Sequence, residues 1–141
     1  MFWRKMPKFS TSWQTVSIDQ IYEIHKSIVN RAGTVASVRD FALLHSAVER
    51  PKATYAGRDL YPTVFLKAAA LLQSLCLNHP FTDANKRTAW ISTKRFLKVN
   101  DYHLRSTRME AADFMVYVDN KKPELKEIAS WLKSHSQKTT L

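Results

Sequence analysis

Residues 79–88, with the sequence HPFTDANKRT, form a polar run between two long apolar segments of the chain. One helical pattern stops just before this run, and the next begins inside it. A loop that leads into a helix is a natural anion site, because the first backbone N–H groups are unpaired and the helix dipole places about half a positive charge there. We therefore expect the chemistry of the protein to lie in this run.

The side chains of the run suit proton transfer and phosphate binding. His79 can exchange a proton near neutral pH, since an unperturbed imidazole has a pKa of about 6.5. Asp83 offers a hard oxygen ligand that could hold Mg²⁺ together with phosphate oxygens. Alternatively, Asp83 is only the N-cap of the next helix and accepts from the amide of Asn85 or Lys86. Arg87 has a planar fork of donors that fits phosphate, and Lys86 carries a mobile point charge.

The apolar residues near the run predict how it is held. Phe81 is the odd apolar residue among polar neighbours, so we expect it to insert into the core as the structural pin of the loop. Pro80 stiffens the approach. His25 lies on the apolar stripe of the first predicted helix, where a hydrogen-bonded core histidine is favoured over a ligand.

The run resembles the signature of the Fic/Doc family, written HPFxxGNxR with variants. Within that family it is similar to the Doc branch, in which Ala often stands for the first Gly and Lys precedes the Arg. Ala84 replaces the first Gly, which predicts an early helical position with backbone angles that a Cβ tolerates. Lys86 replaces the second Gly and places a cation where Fic enzymes leave room for phosphates. The resemblance extends over roughly residues 17–133.

Membership of the Doc branch implies a nucleotide bound in reversed orientation, so that the terminal phosphoryl group of ATP, rather than AMP, is transferred. His79 would take the proton from the attacking hydroxyl, and Asp83 would hold Mg²⁺. The nucleotide phosphates would be held by the helix amides and by Ala84, Asn85, Lys86 and Arg87. The resemblance further implies a toxin of a type II toxin–antitoxin system that phosphorylates Ser or Thr of a translation protein, elongation factor Tu. Its other partner would be a cognate Phd-like antitoxin with an acidic segment.

Residues 52–61 break the helical period and favour a short hairpin or extended arm around Ala56-Gly57. By resemblance this position holds the flap, an exposed edge that aligns the target by strand addition. The docking residues would be Tyr55, Ala56, Gly57 and Arg58. The alternative is an ordinary helix connection with Tyr55 and Tyr61 packed on the core.

The remaining pattern predicts an all-α, Fic/Doc-type bundle of about six helices with a short β-hairpin-like flap. The third helix has so wide an apolar face that it should be the buried scaffold behind the active loop. The predicted helix starts are a Ser17/Gln20 capping box, Ser37, Pro62, Ala84, a Thr107/Glu110 capping box and Glu124. We expect an N-terminal extension over residues 1–16, one Fic/Doc domain over 17–133 and a frayed polar C-terminal tail over 134–141.

The composition indicates where in the cell the protein acts and which kinds of partner it attracts. The 141-residue chain has one cysteine, Cys76, and therefore no disulfide framework or metal cluster, which favours the cytosol. No apolar run reaches the roughly 18 residues of a membrane span, so we expect a cytoplasmic, bacterial or phage-encoded protein. The net charge of +10 attracts nucleotides, nucleic acid or an acidic protein. Its cations are spread along the chain without a nucleic-acid-binding motif, so an acidic antitoxin segment is favoured over direct nucleic-acid binding.

Two other functions stay open from the sequence. One is a Fic-type AMPylase (adenylyltransferase), against which Ala84 and Lys86 argue. The other is a non-catalytic regulatory or nucleic-acid-binding module, against which the complete motif argues. Ser106 and Glu110 superficially resemble the inhibitory motif of self-inhibited Fic proteins, but a helix cap explains Glu110, so control is expected from another chain.

Overall fold

The computed structural model describes residues 13–139, which fold into six α-helices and four short strands. In chain order these are α1 (Ile18–Arg31), α2 (Phe41–Glu49), β1 (Thr54–Tyr55), β2 (Arg58–Asp59), α3 (Val64–Leu77), α4 (Asn85–Val99), β3 (Tyr102–Leu104), α5 (Arg108–Lys121), α6 (Leu125–Ser134) and β4 (Ser136–Lys138). A single 3₁₀ turn, Arg50–Lys52, joins α2 to β1. The predicted all-α bundle with a short hairpin is confirmed.

Helix α3 is the centre of the bundle. Eleven of its 14 residues are buried, and it packs chiefly against α4 and α6. A helix that is apolar around most of its circumference can be stable only when neighbours cover it on several sides. The scaffold role predicted for this helix is therefore confirmed. Among the described residues, no helix is both long and apolar enough to cross a membrane.

The predicted hairpin is also confirmed. Strands β1 and β2 pair antiparallel, and the two turn residues between them, Ala56 and Gly57, have φ values of +52° and +79°. Positive φ at both central residues is typical of two-residue hairpin turns, whose backbone twist matches the twist of the flanking strands. Tyr55 is 78% exposed, so the alternative in which this side chain packs on the core is wrong.

Two cations fasten the base of the hairpin to the bundle. The ammonium of Lys67, from α3, lies 3.1 Å from the carboxylate of Asp59, and both side chains are at least nine-tenths buried. Arg50 donates from Nε to the hydroxyl of Tyr61 at 2.9 Å. The hairpin tip is therefore exposed while its base is held.

Both predicted capping boxes, Ser17/Gln20 and Thr107/Glu110, are present, but other helix starts differ from prediction. Ser37 does not cap α2; instead, Asp40 accepts from the amide of Leu43. Ser37 is occupied elsewhere, since its hydroxyl and carbonyl both bind Thr82.

Three further starts are displaced by one or two residues. Thr63 caps α3, so Pro62 precedes the helix rather than beginning it. Helix α4 starts at Asn85 rather than Ala84. Helix α6 starts at Leu125, with Glu124 as its N-cap residue.

The ends of the described chain are ordered against the bundle. Strand β4 pairs antiparallel with β3, so the prediction of a frayed tail is wrong for residues 136–138. The strand forms because the extended segment after α4 offers an open edge for the chain returning from α6. Of the expected N-terminal extension, residues 1–12 lie outside the described residues, whereas Val16 is buried and the amide of Gln14 donates to Asn100 Oδ1 at 2.8 Å.

Candidate active site

The motif loop leaves α3 through a sharp backbone turn. Asn78 is the C-cap residue of α3, and His79 follows in the left-handed region with φ +49°. The preceding segment, residues 37–40, runs alongside the loop. Its amides at Arg39 and Asp40 both donate to the carbonyl of Pro80, at 2.8 and 3.0 Å. The turn is therefore held by a segment from an earlier part of the chain.

Phe81 anchors the loop in the core, where the sequence analysis placed it. It is 1% exposed, and its ring stacks on that of His25 with centroids 3.8 Å apart and planes inclined by 12°. Nδ1 of His25 lies 3.2 Å from the hydroxyl of Thr88 on α4. One ring nitrogen of His25 is thus hydrogen-bonded, while Nε2 finds no partner within the described part of the chain. Burial lowers the pKa of His25, and the negative charge of Asp83 partly opposes that shift.

The start of α4 corrects two expectations. Ala84 lies before the helix in the left-handed region, with φ +60° and ψ +28°, and not in an early helical conformation. No side chain of residues 13–139 caps the helix, so the N-cap role considered for Asp83 is wrong. The loop needs a left-handed residue at this point to reverse the chain direction, which explains why Gly stands here in the Fic signature. The first amides of α4 therefore have no side-chain acceptor among the described residues.

The polar side chains of the motif meet around one cleft of about 540 Å³. Its lining includes His79, Asp83, Lys86, Arg87 and Arg39. All five residues are exposed, so each can meet a ligand from solvent. Three cations and one carboxylate at an uncapped helix N-terminus give the cleft a positive potential that attracts anions.

Two of the expected phosphate ligands have protein partners. The side-chain amide of Asn85 is bound to the backbone of Phe81 on both its oxygen and its nitrogen, so this residue acts on the loop itself. Lys86 Nζ lies 3.5 Å from Asp119 on α5, and both side chains are partly exposed. An exposed pair of this kind is weak, so the ammonium of Lys86 is available to a stronger anion.

The hairpin and the cleft are separate surfaces. Tyr55, Ala56, Gly57 and Arg58 do not line the cleft. Sequence reasoning missed Arg39, which does line it. Arg39 precedes His79 by 40 residues, and no local pattern connects the two.

Mg²⁺ would find one carboxylate in the cleft, that of Asp83. Within residues 13–139, no group of three or more His, Cys, Asp or Glu side chains is placed to share a metal ion. Mg²⁺ commonly takes one or two carboxylates and completes its shell with water and substrate phosphates. The residues present therefore fit a magnesium ion that enters with a nucleotide, and they do not form a protein-only metal site.

Two comparisons show which known proteins the chain resembles. A family model described as "Fic/DOC family" matches residues 15–97, which include the whole motif. The chain is also 46% identical over 104 residues to a protein of Mycolicibacterium smegmatis (strain ATCC 700084 / mc(2)155) named "Toxin Doc". That alignment covers 70% of this chain and 74% of the relative.

Proposed function

The chain belongs to the Fic/Doc family, and from that premise we propose that it is a Doc-like toxin of a type II toxin–antitoxin system. It transfers the terminal phosphate of ATP to a Ser or Thr hydroxyl of a translation protein, with elongation factor Tu as the proposed target, and so blocks translation. It works in the cytoplasm. A Phd-like antitoxin with an acidic segment holds it inactive, and the name of the mycobacterial relative supports the toxin assignment.

The composition of the cleft carries this proposal. A histidine, a carboxylate and the cations Lys86 and Arg87 line one cavity at a helix start that has no side-chain cap. Phosphoryl transfer depends mainly on positioning and on electrostatic stabilisation of charge on phosphate oxygens. Lys86 adds a cation at the place where the Fic signature has Gly, which favours a bound terminal phosphate over a transferred AMP.

His79 is the proposed general base. Its imidazole takes the proton of the attacking hydroxyl as the hydroxyl oxygen forms a bond to the γ-phosphorus. The bond between that phosphorus and the β–γ bridging oxygen breaks, ADP leaves with the electron pair, and His79 returns its proton to solvent.

The α4 start stabilises the charge that develops on the phosphates. The free amides of α4, together with Lys86 and Arg87, donate to phosphate oxygens. Asp83 would hold Mg²⁺, which neutralises phosphate charge when it is bound with ATP. Asn85 contributes indirectly, because its side chain fixes the loop.

Label transfer tests the reaction. Purified protein, Mg²⁺ and a bacterial lysate are incubated with ATP labelled on the α- or the γ-phosphate, with His79→Ala as control. We expect γ-label alone on a lysate protein and none with the variant. Transfer of the α-label would replace the kinase by an AMPylase, and transfer of neither label would contradict both activities.

Growth arrest tests the toxin assignment. Expression of the wild-type protein without antitoxin should stop growth, whereas His79→Ala and Arg87→Ala should be harmless and remain helical by circular dichroism. Lys98→Ala, which removes an exposed cation near the far end of α4, should stay toxic. Equal growth with the wild-type protein and with either motif variant would contradict the assignment.

A further inference from the structure

Arg39 binds the backbone on both sides of the turn that presents His79. Its Nε donates to the carbonyl of His79 at 2.7 Å, and its Nη2 donates to the carbonyl of Asn78 at 2.9 Å. These two carbonyls are adjacent in the chain, and one of them belongs to His79, the proposed general base. The planar guanidinium reaches them with two separate nitrogens in a fixed geometry, whereas a lysine would offer one nitrogen.

The bound backbone is in a conformation that needs support. His79 has φ +49°, a region that residues with a Cβ seldom adopt. A residue keeps such a conformation only where contacts with its surroundings hold it in place. Asn78, as the C-cap residue of α3, has a carbonyl without an intrahelical partner. Arg39 therefore caps α3 and fixes the left-handed residue with the same side chain.

The segment that carries Arg39 is itself anchored to the loop. The amides of Arg39 and Asp40 donate to the carbonyl of Pro80, and the carbonyl of Ser37 accepts from Thr82. Val38 forms an isolated antiparallel bridge with Phe81. The guanidinium is thus held on a backbone that runs antiparallel to the loop, so its position relative to His79 is fixed.

We propose that Arg39 is a positioning residue: its guanidinium fixes the backbone of His79 so that the imidazole meets the reacting hydroxyl. It acts through His79 and not through the nucleotide, although it lines the same cleft. The inference rests on the proposed phosphoryl transfer. It adds a residue on a different segment from the motif, and no part of the motif pattern indicates it.

Steady-state kinetics separate positioning from binding. Arg39→Lys keeps the charge but replaces the two rigidly spaced donor nitrogens by one, and Arg39→Gln removes the charge as well. We expect kcat for γ-label transfer to fall by about 10- to 100-fold in both variants, the range that misplacement of a reacting group by an ångström produces. KM for ATP and the Kd of its magnesium complex should stay within about twofold. Lys26→Gln, an exposed cation on α1, serves as the matched control and should keep wild-type kinetics.

Each alternative gives a different result. A raised KM and Kd with kcat preserved would make Arg39 a phosphate ligand and overturn the inference. Full activity of Arg39→Lys would show that charge alone suffices, which also overturns it. Thermal unfolding of each variant gives the folded fraction, and kcat is expressed per folded molecule, so that loss of fold is not counted as loss of positioning.

Hydrogen exchange gives a readout that does not need activity. The amides of Phe81 and Thr82 are hydrogen-bonded in the braced loop, so peptides covering residues 79–82 should exchange faster in Arg39→Lys. Peptides within α3 and α4 should exchange at the wild-type rate. If the wild-type protein transfers no label, the proposed function fails, and exchange alone then decides whether Arg39 holds the loop. Unchanged exchange at 79–82 would overturn the inference.

Discussion

The side chain of Asn85 holds the backbone of Phe81 from both sides. Oδ1 of Asn85 accepts from the amide of Phe81, and Nδ2 donates to the carbonyl of the same residue, each at 3.0 Å. The first residue of α4 thereby closes the loop onto the helix that follows it. An amide side chain offers an acceptor oxygen and a donor nitrogen side by side, as this contact requires.

Loss of this contact should destabilise the protein. Asn85→Ala removes two hydrogen bonds and leaves partly buried backbone groups without partners, so we expect the free energy of unfolding to fall by about 1–3 kcal/mol. Urea unfolding followed by circular dichroism measures the change. Asn120→Ala, at an exposed position near the end of α5, should change the free energy by less than about 0.5 kcal/mol. Equal effects of the two substitutions would contradict the role of Asn85.

Ala84→Gly should stabilise the protein. The left-handed conformation of Ala84 costs a residue with a Cβ about 1–2 kcal/mol, and the greater freedom of Gly in the unfolded chain offsets part of that gain. We expect the free energy of unfolding to rise by about 0.5–1 kcal/mol, with label transfer retained. The same substitution at Ala112, which is exposed within α5, should lower it by about 1 kcal/mol. A loss of stability with Ala84→Gly would contradict the strain assigned to this residue.

The two lysine–carboxylate pairs near the hairpin should differ in strength. Lys67 and Asp59 form a pair with side-chain exposures of 5% and 10%. Lys67→Met therefore leaves the buried carboxylate of Asp59 without its cation. We expect it to cost about 3 kcal/mol of unfolding free energy. Lys52 and Glu49 form a pair with exposures of 46% and 49%, so Lys52→Met should cost less than about 1 kcal/mol. Denaturant titrations of both variants check the difference, and similar costs would contradict it.

Local patterns predicted most of the fold. The capping boxes at Ser17 and Thr107, the apolar circumference of α3 and the turn at Ala56-Gly57 all depend on residues within a few positions of one another. Each pattern therefore carries its own structural signal. The motif located the cleft in the same way, because its polar side chains share one loop and one helix start.

The parts that sequence reasoning missed depend on contacts between distant residues. Strand β4 forms only because β3 lies beside it: Gln137 pairs with His103, a residue far from it in the sequence. Arg39 meets His79 across 40 residues. The presence of Ala rather than Gly at position 84 predicted a helical conformation, with backbone angles that a Cβ tolerates, whereas the surrounding loop holds Ala84 in the left-handed region.

His25 should make stability depend on pH. Burial lowers the pKa of His25 in the folded protein, while the imidazole of the unfolded chain titrates near its ordinary value of about 6.5. As the pH falls below that value, the unfolded chain takes up a proton before the folded one does, so the stability present at neutral pH is progressively lost until the pH is below the folded pKa. One proton limits the slope to about 1.4 kcal/mol per pH unit.

The slope of the unfolding free energy against pH, between pH 7 and pH 5, measures this contribution. Denaturant titrations at several pH values should show a steeper fall for the wild-type protein than for His25→Gln, which has no imidazole at this site. His45→Gln, at an exposed position on α2, should keep the wild-type slope. Comparing slopes rather than absolute stabilities removes the cost of substituting a core residue. If His25→Gln kept the wild-type slope, the loss of stability would have to come from other groups, and His25 would not be the buried neutral imidazole beneath the motif loop.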